Sequence, residues 1–352
     1  MTNNKVKGEK MKKLLTIFLG LLIISTAVEA KTELLGAGAT FPYPLYSKMF
    51  STYHKQTGVR VNYQAIGSGG GIRQMKNETV DFGASDAFIN DKKMDSMPHQ
   101  LVHIPIVLGA VAVPYNVPGI SGLKFTPEVL ANIFLGKIKK WNHSQIQSIN
   151  PNKTLPSLPI TVVHRSDGSG TTFIFTDYLT KVNTNWAKKV SRGKSVKWPI
   201  GIGGKGNAGV AGFVKNTPGA IGYTELVYAL QNKMDVGIIK NKSGNYITPS
   251  LHTASLAAKG KIPDDTRITL TDTSARKGYP ISGFTWILLN QDQKFKKRSL
   301  TQAQETVKLI KWMISKEGQA LAKPLGYAPL PTSAIIKAHR LLNSITYGST
   351  KI

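Results

Sequence analysis

The chain predicts an α/β protein built on largely parallel sheets, and three observations carry that prediction. Strand-like and helix-like segments alternate along the whole length. Turns rich in Gly and Ser sit between β-branched runs and stretches with helical spacing. The chain has 352 residues, enough for two α/β domains with full cores even after loss of a leader.

The elements follow in order. A basic stretch (Lys5, Lys7, Lys10, Lys12, Lys13) precedes an apolar run from Leu14 to Val28, and Val28 and Ala30 put small residues at the −3 and −1 positions of a signal-peptidase site. A run of 15 residues is shorter than the roughly 18 to 20 that a spanning helix needs. Residues 1–30 therefore read as a cleaved export signal, with Met11 as an alternative start, and the mature protein is expected to be soluble, in a periplasm or secreted.

Gly36-Ala-Gly-Ala-Thr-Phe-Pro is the first donor-bearing turn, in which Thr40 is expected to cap a helix begun at Pro42 or Pro44. Val59 to Ala65 alternates like a half-buried strand and runs into Gly67-Ser-Gly-Gly-Gly, then into Ile72-Arg-Gln-Met-Lys, which can start a helix. Val80-Asp-Phe-Gly-Ala-Ser-Asp reads as a strand ending in a polar turn. Val102 to Val113 is a long β-rich run broken by Pro105 and Gly109. Thr126-Pro-Glu combines an N-cap, an N1 proline and an early acid, which marks a helix start.

The richest segment is Ile160-Thr-Val-Val-His followed by Arg165-Ser-Asp-Gly-Ser-Gly-Thr-Thr and the helical stretch from Phe173. Strand, loop, helix is the reading, and it sets the amides of Gly168, Ser169, Gly170 and Thr171 at a helix N-terminus that favours an anion. Ser169, Thr171 and Arg165 add hydroxyl and guanidinium donors suited to an oxyanion with charge spread over several oxygens. Three such turns on separate segments point to one shared anion. Gly201 to Gly209 holds GxGxxG twice but no Rossmann unit surrounds it, so it reads as a structural loop closing onto a helix at Val210–Val214. Ala303 to Lys316 and Ser333 to Ile345 are the expected last helices. No low-complexity linker intervenes, so the domains should be joined by crossing strands.

Composition narrows the function. The chain has no cysteine, which removes disulfides, thiolate ligands, cysteine nucleophiles and a lipid anchor. Of its seven histidines only His99 and His103 fall at HxxxH spacing, and they lie at the edge of a β-rich run rather than on a helix face, so a zinc site is not supported, and His164 reads as a strand residue rather than a base. Neither a GxSxG elbow nor a P-loop nor a carboxylate pair is found. The formal charge is +27, and +24 without residues 1–30. No basic stripe interleaved with aromatics accompanies it, so nucleic acid is not the expected partner; a solvated basic surface attracting anions is.

These residues resemble a known family, the periplasmic phosphate-binding protein of the phosphate-specific (Pst-type) ABC transporter. The resemblance rests on Leu35-Gly-Ala-Gly-Ala-Thr-Phe-Pro, Val61-Asn-Tyr-Gln-Ala-Ile-Gly-Ser-Gly-Gly-Gly, Val80 to Asp86, Leu135-Gly-Lys-Ile-Lys-Lys-Trp, Arg165-Ser-Asp-Gly-Ser-Gly-Thr, Trp198 to Asn207 and Pro218-Gly-Ala-Ile-Gly-Tyr. Gly69 departs from it, since many members carry a second serine there. By position, the resemblance implies phosphate contacts from Thr40, the Phe41 backbone, Ser68, Asp86, Arg165, Ser169, Gly170 and Thr171, with Asp167 steadying Arg165. Asp86 would accept the P–OH proton that phosphate keeps near neutral pH and sulfate lacks.

The implied fold is a two-lobed type II periplasmic-binding-protein fold, each lobe a mixed, mainly parallel sheet flanked by helices, with ligand in the cleft between them. Lobe I is expected over residues 31–107 and 282–352, and lobe II over 108–281. The implied function is phosphate binding in the periplasm and delivery to an inner-membrane ABC permease, by a monomer without catalytic residues, metal or organic cofactor. The alternatives are a phosphomonoester hydrolase and a sulfate-type binding protein.

Overall fold

The computed structural model describes residues 32–352, and the expected export signal lies outside them. The chain lays down β1 (Glu33–Gly38), α1 (Tyr43–Thr57), β2 (Arg60–Gln64), α2 (Ser68–Lys76) and β3 (Phe82–Ser85) as one alternation of strand and helix. Strand β1 pairs in parallel with both β2 and β3. After β4 (Leu101–Ala112) and β5 (Pro114–Tyr115) comes α3 (Pro127–Phe134), with Thr126 capping it through Val129 N–H as the Thr-Pro-Glu signal predicts. The same alternation then recurs: β6 (Thr161–Arg165), α4 (Gly170–Val182), β7 (Ile202–Gly204), α5 (Gly206–Asn216) and β8 (Ala220–Gly222). Here β6 pairs in parallel with β7 and β8. Strands β9 (Thr224–Glu225), β10 (Asp235–Val236) and β11 (Ser282–Asn290) and helices α6 (Leu300–Met313) and α7 (Thr332–Leu342) complete the main framework.

Two main sheets result, with one plan, beside a three-stranded and a two-stranded one. The first runs β9-β4-β11-β3-β1-β2 and the second β10-β5-β8-β6-β7. In each, a parallel trio is flanked by one antiparallel strand taken from elsewhere in the chain: β11 beside β3, and β5 beside β8. The first strand of each trio lies between the other two, so the connections leave it in opposite directions. Ligands of such sheets bind outside the carboxyl ends of the strands at that reversal. The turns after β1, β3 and β6 therefore occupy the binding end before any side chain is considered.

Strands β4 and β11 are buried along their full lengths and form the spine of the first sheet. The expected break at Pro105 does not occur: β4 is continuous, and its register against β11 shifts between Thr285 and Trp286, opposite Pro105 and Val107. A proline lacks the ladder N–H, and a bulge is where a central strand tolerates that. The chain passes from the first sheet to the second through Val113, returns through Tyr223 to β9, crosses again to β10 in the second and comes back to the first for β11. The C-terminal helices begin and end a few residues from their predicted limits, at Leu300–Met313 and Thr332–Leu342.

Close backbone approach explains the glycine run at the start of α2. A Cβ on Gly71 would sit 2.6 Å from both the Ala37 carbonyl oxygen and Gly38 Cα. Gly71→Ala should therefore destabilise the protein by about 1–3 kcal/mol through overpacking. Gly212 in α5 has nothing within 4 Å of an added Cβ, and Gly212→Ala should leave stability unchanged or raise it by up to about 1 kcal/mol. Urea unfolding of both variants checks the contrast.

Candidate anion-binding site

All eight predicted contact residues converge at the carboxyl ends of the two parallel trios, and seven of them present backbone or side-chain donors. Thr40 and Phe41 follow β1, Ser68 opens α2, and Asp86 follows β3. Arg165 ends β6, while Ser169, Gly170 and Thr171 form the start of α4. Each is buried.

Arg165 is held from three directions. Its Nε donates to Asp167 Oδ1 at 2.7 Å and its Nη2 pairs with Asp167 Oδ2, a two-pronged contact that fixes the guanidinium plane. Its Nη1 donates to Thr171 Oγ1 at 3.3 Å, and its backbone N–H donates to the Tyr223 hydroxyl at 3.1 Å. The supporting role expected of Asp167 thus has a direct geometric counterpart. Burial works against ionising Asp167, but the bonds and charge of Arg165 and the Gly206 N–H hold its pKa below the ordinary value.

Asp86 sits opposite, wholly enclosed. Burial pushes its pKa from 3.8 up to about 7, against the opposing pull of the Thr285 hydroxyl, Arg165 and Ser68. Thr285 Oγ1 donates to Asp86 Oδ1 at 2.8 Å, and the Ser68 hydroxyl lies 3.4 Å from Oδ2. Ser68 Oγ itself accepts the N–H groups of Asp86 and Gly170, each at 3.1 Å. The second of these crosses from the first sheet's elements to the second's. Gly69 N–H reaches the Gly168 carbonyl at 2.8 Å in the same seam. A Cβ on Gly170 would stand 2.6 Å from Asp86 Oδ2, so only glycine lets α4 come this close.

Thr40 differs from its predicted role. Pro42, without a side-chain bond, precedes α1, and Thr40 caps nothing. Its Oγ1 instead accepts from Asn207 at the start of α5, from Nδ2 at 2.8 Å and from N–H at 3.2 Å. The helix expected at Val210 begins four residues earlier, at Gly206, directly after the short strand Ile202–Gly204. Its Gly-Gly-Lys-Gly-Asn turn repeats the strand–glycine–helix grammar of the other loops, which was the signal available for Asn207. Thr285, Glu225 and Tyr228 carried no local signal. Glu225 is wholly buried in β9, where burial pushes its carboxyl well above the usual range, and Tyr228 donates to the Thr40 carbonyl. His164 faces away from the site, its ring stacked on Trp198 at 4.9 Å, as a strand residue would. Ser169 caps α4 through Thr172 N–H at 3.0 Å.

The model of the PBP superfamily domain matches residues 25–317. The phosphate-binding protein PstS of Pasteurella multocida (strain Pm70) is 42% identical over 333 residues, covering 93% of this chain and 94% of the relative. That of Haemophilus influenzae (strain ATCC 51907 / DSM 11121 / KW20 / Rd) is 42% identical over 331 residues, covering 93% and 96%. The chain belongs to the PstS phosphate-binding protein family. A solved high-affinity periplasmic phosphate-binding protein (PfluDING) bound with phosphate superposes with a TM-score of 0.68 at 21% identity, over 88% of this chain and 93% of its own. The two-lobed type II fold is shared with such proteins, and the doubled sheet plan described above is its basis in this PstS-family chain.

The raised pKa of Asp86 has a consequence for ligand-free protein. Between about pH 4 and pH 7 the folded chain keeps a proton that the unfolded chain has released, so stability falls as pH rises through that window. Asp86→Asn should therefore gain on the parent between pH 4 and 8, by an amount on the order of a few kcal/mol. Urea unfolding of ligand-stripped samples at several pH values measures the gap. A gap that stays constant would show that Asp86 titrates normally.

Proposed function

We propose that this protein binds inorganic phosphate between its two lobes in the periplasm and delivers it to an inner-membrane ABC permease. The observation that carries the reading is one enclosed carboxylate, Asp86, in a cradle otherwise made of donors: Arg165, the Ser68 and Thr171 hydroxyls and the start of α4. Such a set neutralises an oxyanion yet offers one acceptor, which suits an anion that carries a proton. The relatives are named phosphate-binding proteins, and their likeness extends over nearly the whole chain. No helix among the described residues is long and apolar enough to cross a membrane. In this reading Thr40, Phe41 (through its backbone), Ser68, Asp86, Arg165, Ser169, Gly170 and Thr171 contact phosphate, and Asp167 orients Arg165.

The reading includes two lobes that close on the ligand, residues 31–107 with 282–352 against 108–281. Sheet membership supports two lobes but moves these limits, because β4 runs on to Ala112 in the first sheet and β9, from within 108–281, also joins that sheet. The hinge then lies at the crossings between the sheets: near Val113, near Tyr223, between β9 and β10 and between β10 and β11.

Calorimetric titration of ligand-stripped protein should show phosphate preferred over sulfate. Asp86→Asn removes the charge and can turn an N–H toward a sulfate oxygen, so the preference should fall at least about tenfold, or about 1.4 kcal/mol. Arg165→Ala should weaken phosphate binding by about 2–4 kcal/mol, with Lys restoring only part because an ammonium cannot make the two-pronged contact. An Asn variant as selective as the parent would place selectivity elsewhere. Turnover of a phosphomonoester by the purified protein would favour the hydrolase reading instead.

Closure gives a separate prediction. Phosphate should lower the radius of gyration in small-angle scattering if the lobes approach on binding. An unchanged profile, with binding confirmed in the same sample, argues for a preformed pocket.

A further inference from the structure

Asn207 has bonds that fit no purely structural role. It is wholly buried at the second position of α5. Its Oδ1 accepts Glu225 N–H at 2.9 Å, which settles which end of the amide is oxygen. The Nδ2 end therefore faces two hydroxyls, Thr40 Oγ1 at 2.8 Å and Thr171 Oγ1 at 3.1 Å. One belongs to the turn after β1 and the other to α4, so a single amide joins contact residues from both sheets' elements.

A hydroxyl has two acceptor lone pairs and one proton. Thr40 Oγ1 already receives two N–H donors, both from Asn207. Thr171 Oγ1 receives Asn207 Nδ2 and, at 3.3 Å, Arg165 Nη1. Each oxygen is thus filled as an acceptor and has only its proton left to give. Among the described residues the Thr40 hydroxyl proton has no acceptor. Thr171 has only Asn207 Oδ1 at a long 3.4 Å, an atom already engaged by Glu225.

We propose that Asn207 is a positioning residue that locks Thr40 and Thr171 as donors toward the ligand, so that both positions take only unprotonated oxygens. The proposal rests on the phosphate reading above. A P–OH placed there could accept only through its weaker hydroxyl oxygen, and its own proton would find no acceptor. The ligand proton is thereby confined to the neighbourhood of Asp86, and the two sides of the cradle enforce one orientation. Selectivity then comes from donors that cannot reverse as well as from the single acceptor.

Asn207→Asp tests this because it keeps the shape and replaces the donating end by an accepting oxygen. Both threonine protons should turn to the new carboxylate and away from phosphate. The titratable groups around it are Asp86, Arg165, Asp167, Glu225 and Tyr228, and they are common to parent and variant, so the ratio of affinities isolates position 207.

Titration calorimetry with inorganic phosphate on the ligand-stripped protein should show the Asp variant weaker than the parent by about 100-fold near pH 8. That deficit should shrink at least about tenfold near pH 5, as the new carboxyl takes up a proton and regains a donor. Asn207→Ala, which frees the hydroxyls without reversing them, should lose less and keep a constant ratio to the parent across pH. A pH-independent deficit in the Asp variant equal to that of Ala overturns the proposal.

If the Asp variant does not fold, the cycle of Asn207→Ala with Thr171→Val decides. The two losses should be non-additive, since the amide acts through the hydroxyl, and additive losses overturn the proposal. A parent that takes up no phosphate overturns the proposed function, and this inference with it. A parent that binds while Asn207→Asp matches it overturns this inference alone.

Discussion

A carboxylate enclosed away from water is the constraint around which the rest of the site is arranged. Left ionised and unpartnered, Asp86 would be a heavy liability, and burial raises its pKa to about 7 even against the pull of its partners. Thr285 from β11, Ser68 from α2 and the field of Arg165 offset part of that penalty. These partners come from three places distant in sequence, and each must be held by its own framework. The Arg165–Asp167 pair supplies a guanidinium that is already oriented, with Tyr223 and Gly206 fixing it from behind. The site is therefore a property of the whole two-sheet assembly rather than of any loop.

The doubled sheet plan explains how so many donors reach one place. Each trio places its central strand between its neighbours, and the turns that leave the carboxyl ends lead into helices whose first N–H groups lack intrahelical partners. Four helices, α1, α2, α4 and α5, start at this end, two from each trio. The seam between them is closed by short backbone contacts, Gly69 to Gly168 and Gly170 to Ser68. Glycines at those points let backbone meet backbone where side chains would separate the two halves. Gly69, where the family commonly carries serine, falls on this seam: a Cβ there would stand 3.1 Å from Gly168 Cα.

Local grammar was readable wherever a strand, a glycine turn and a helix follow one another in sequence. The Arg165 to Thr171 loop folds as that grammar predicts, and after Gly67 the order of turn and helix holds although the helix takes in the glycines and starts at Ser68 rather than Ile72, because caps, turns and free amides depend on neighbours a few residues away. The Thr126 cap is another such case. Where the determining neighbour is distant, local reading went astray. Thr40 has the residue type of a cap, yet its hydroxyl is taken by Asn207, 167 positions along the chain. Pro105 marks a break by its chemistry, yet β4 continues because the register against β11 shifts there. The turn before Asn207 reads as a merely structural loop because its strand is only three residues long, too short for periodicity to register.

What the sequence by itself determined is the alternating α/β architecture, the positions of the donor-rich turns and the residue types that gather at the binding end. These follow from backbone chemistry that acts within a turn or two of its own residue. Tertiary structure alone decided that Thr285 partners Asp86, that Tyr228 supports the turn after β1, and that Asn207, held by the Glu225 N–H, joins Thr40 to Thr171. Those pairings need strands β9 and β11 to return to the first sheet from far along the chain. A hydrogen bond is felt over about 3 Å, and nothing in the linear order of residues records which atoms will come within that distance once both sheets have closed.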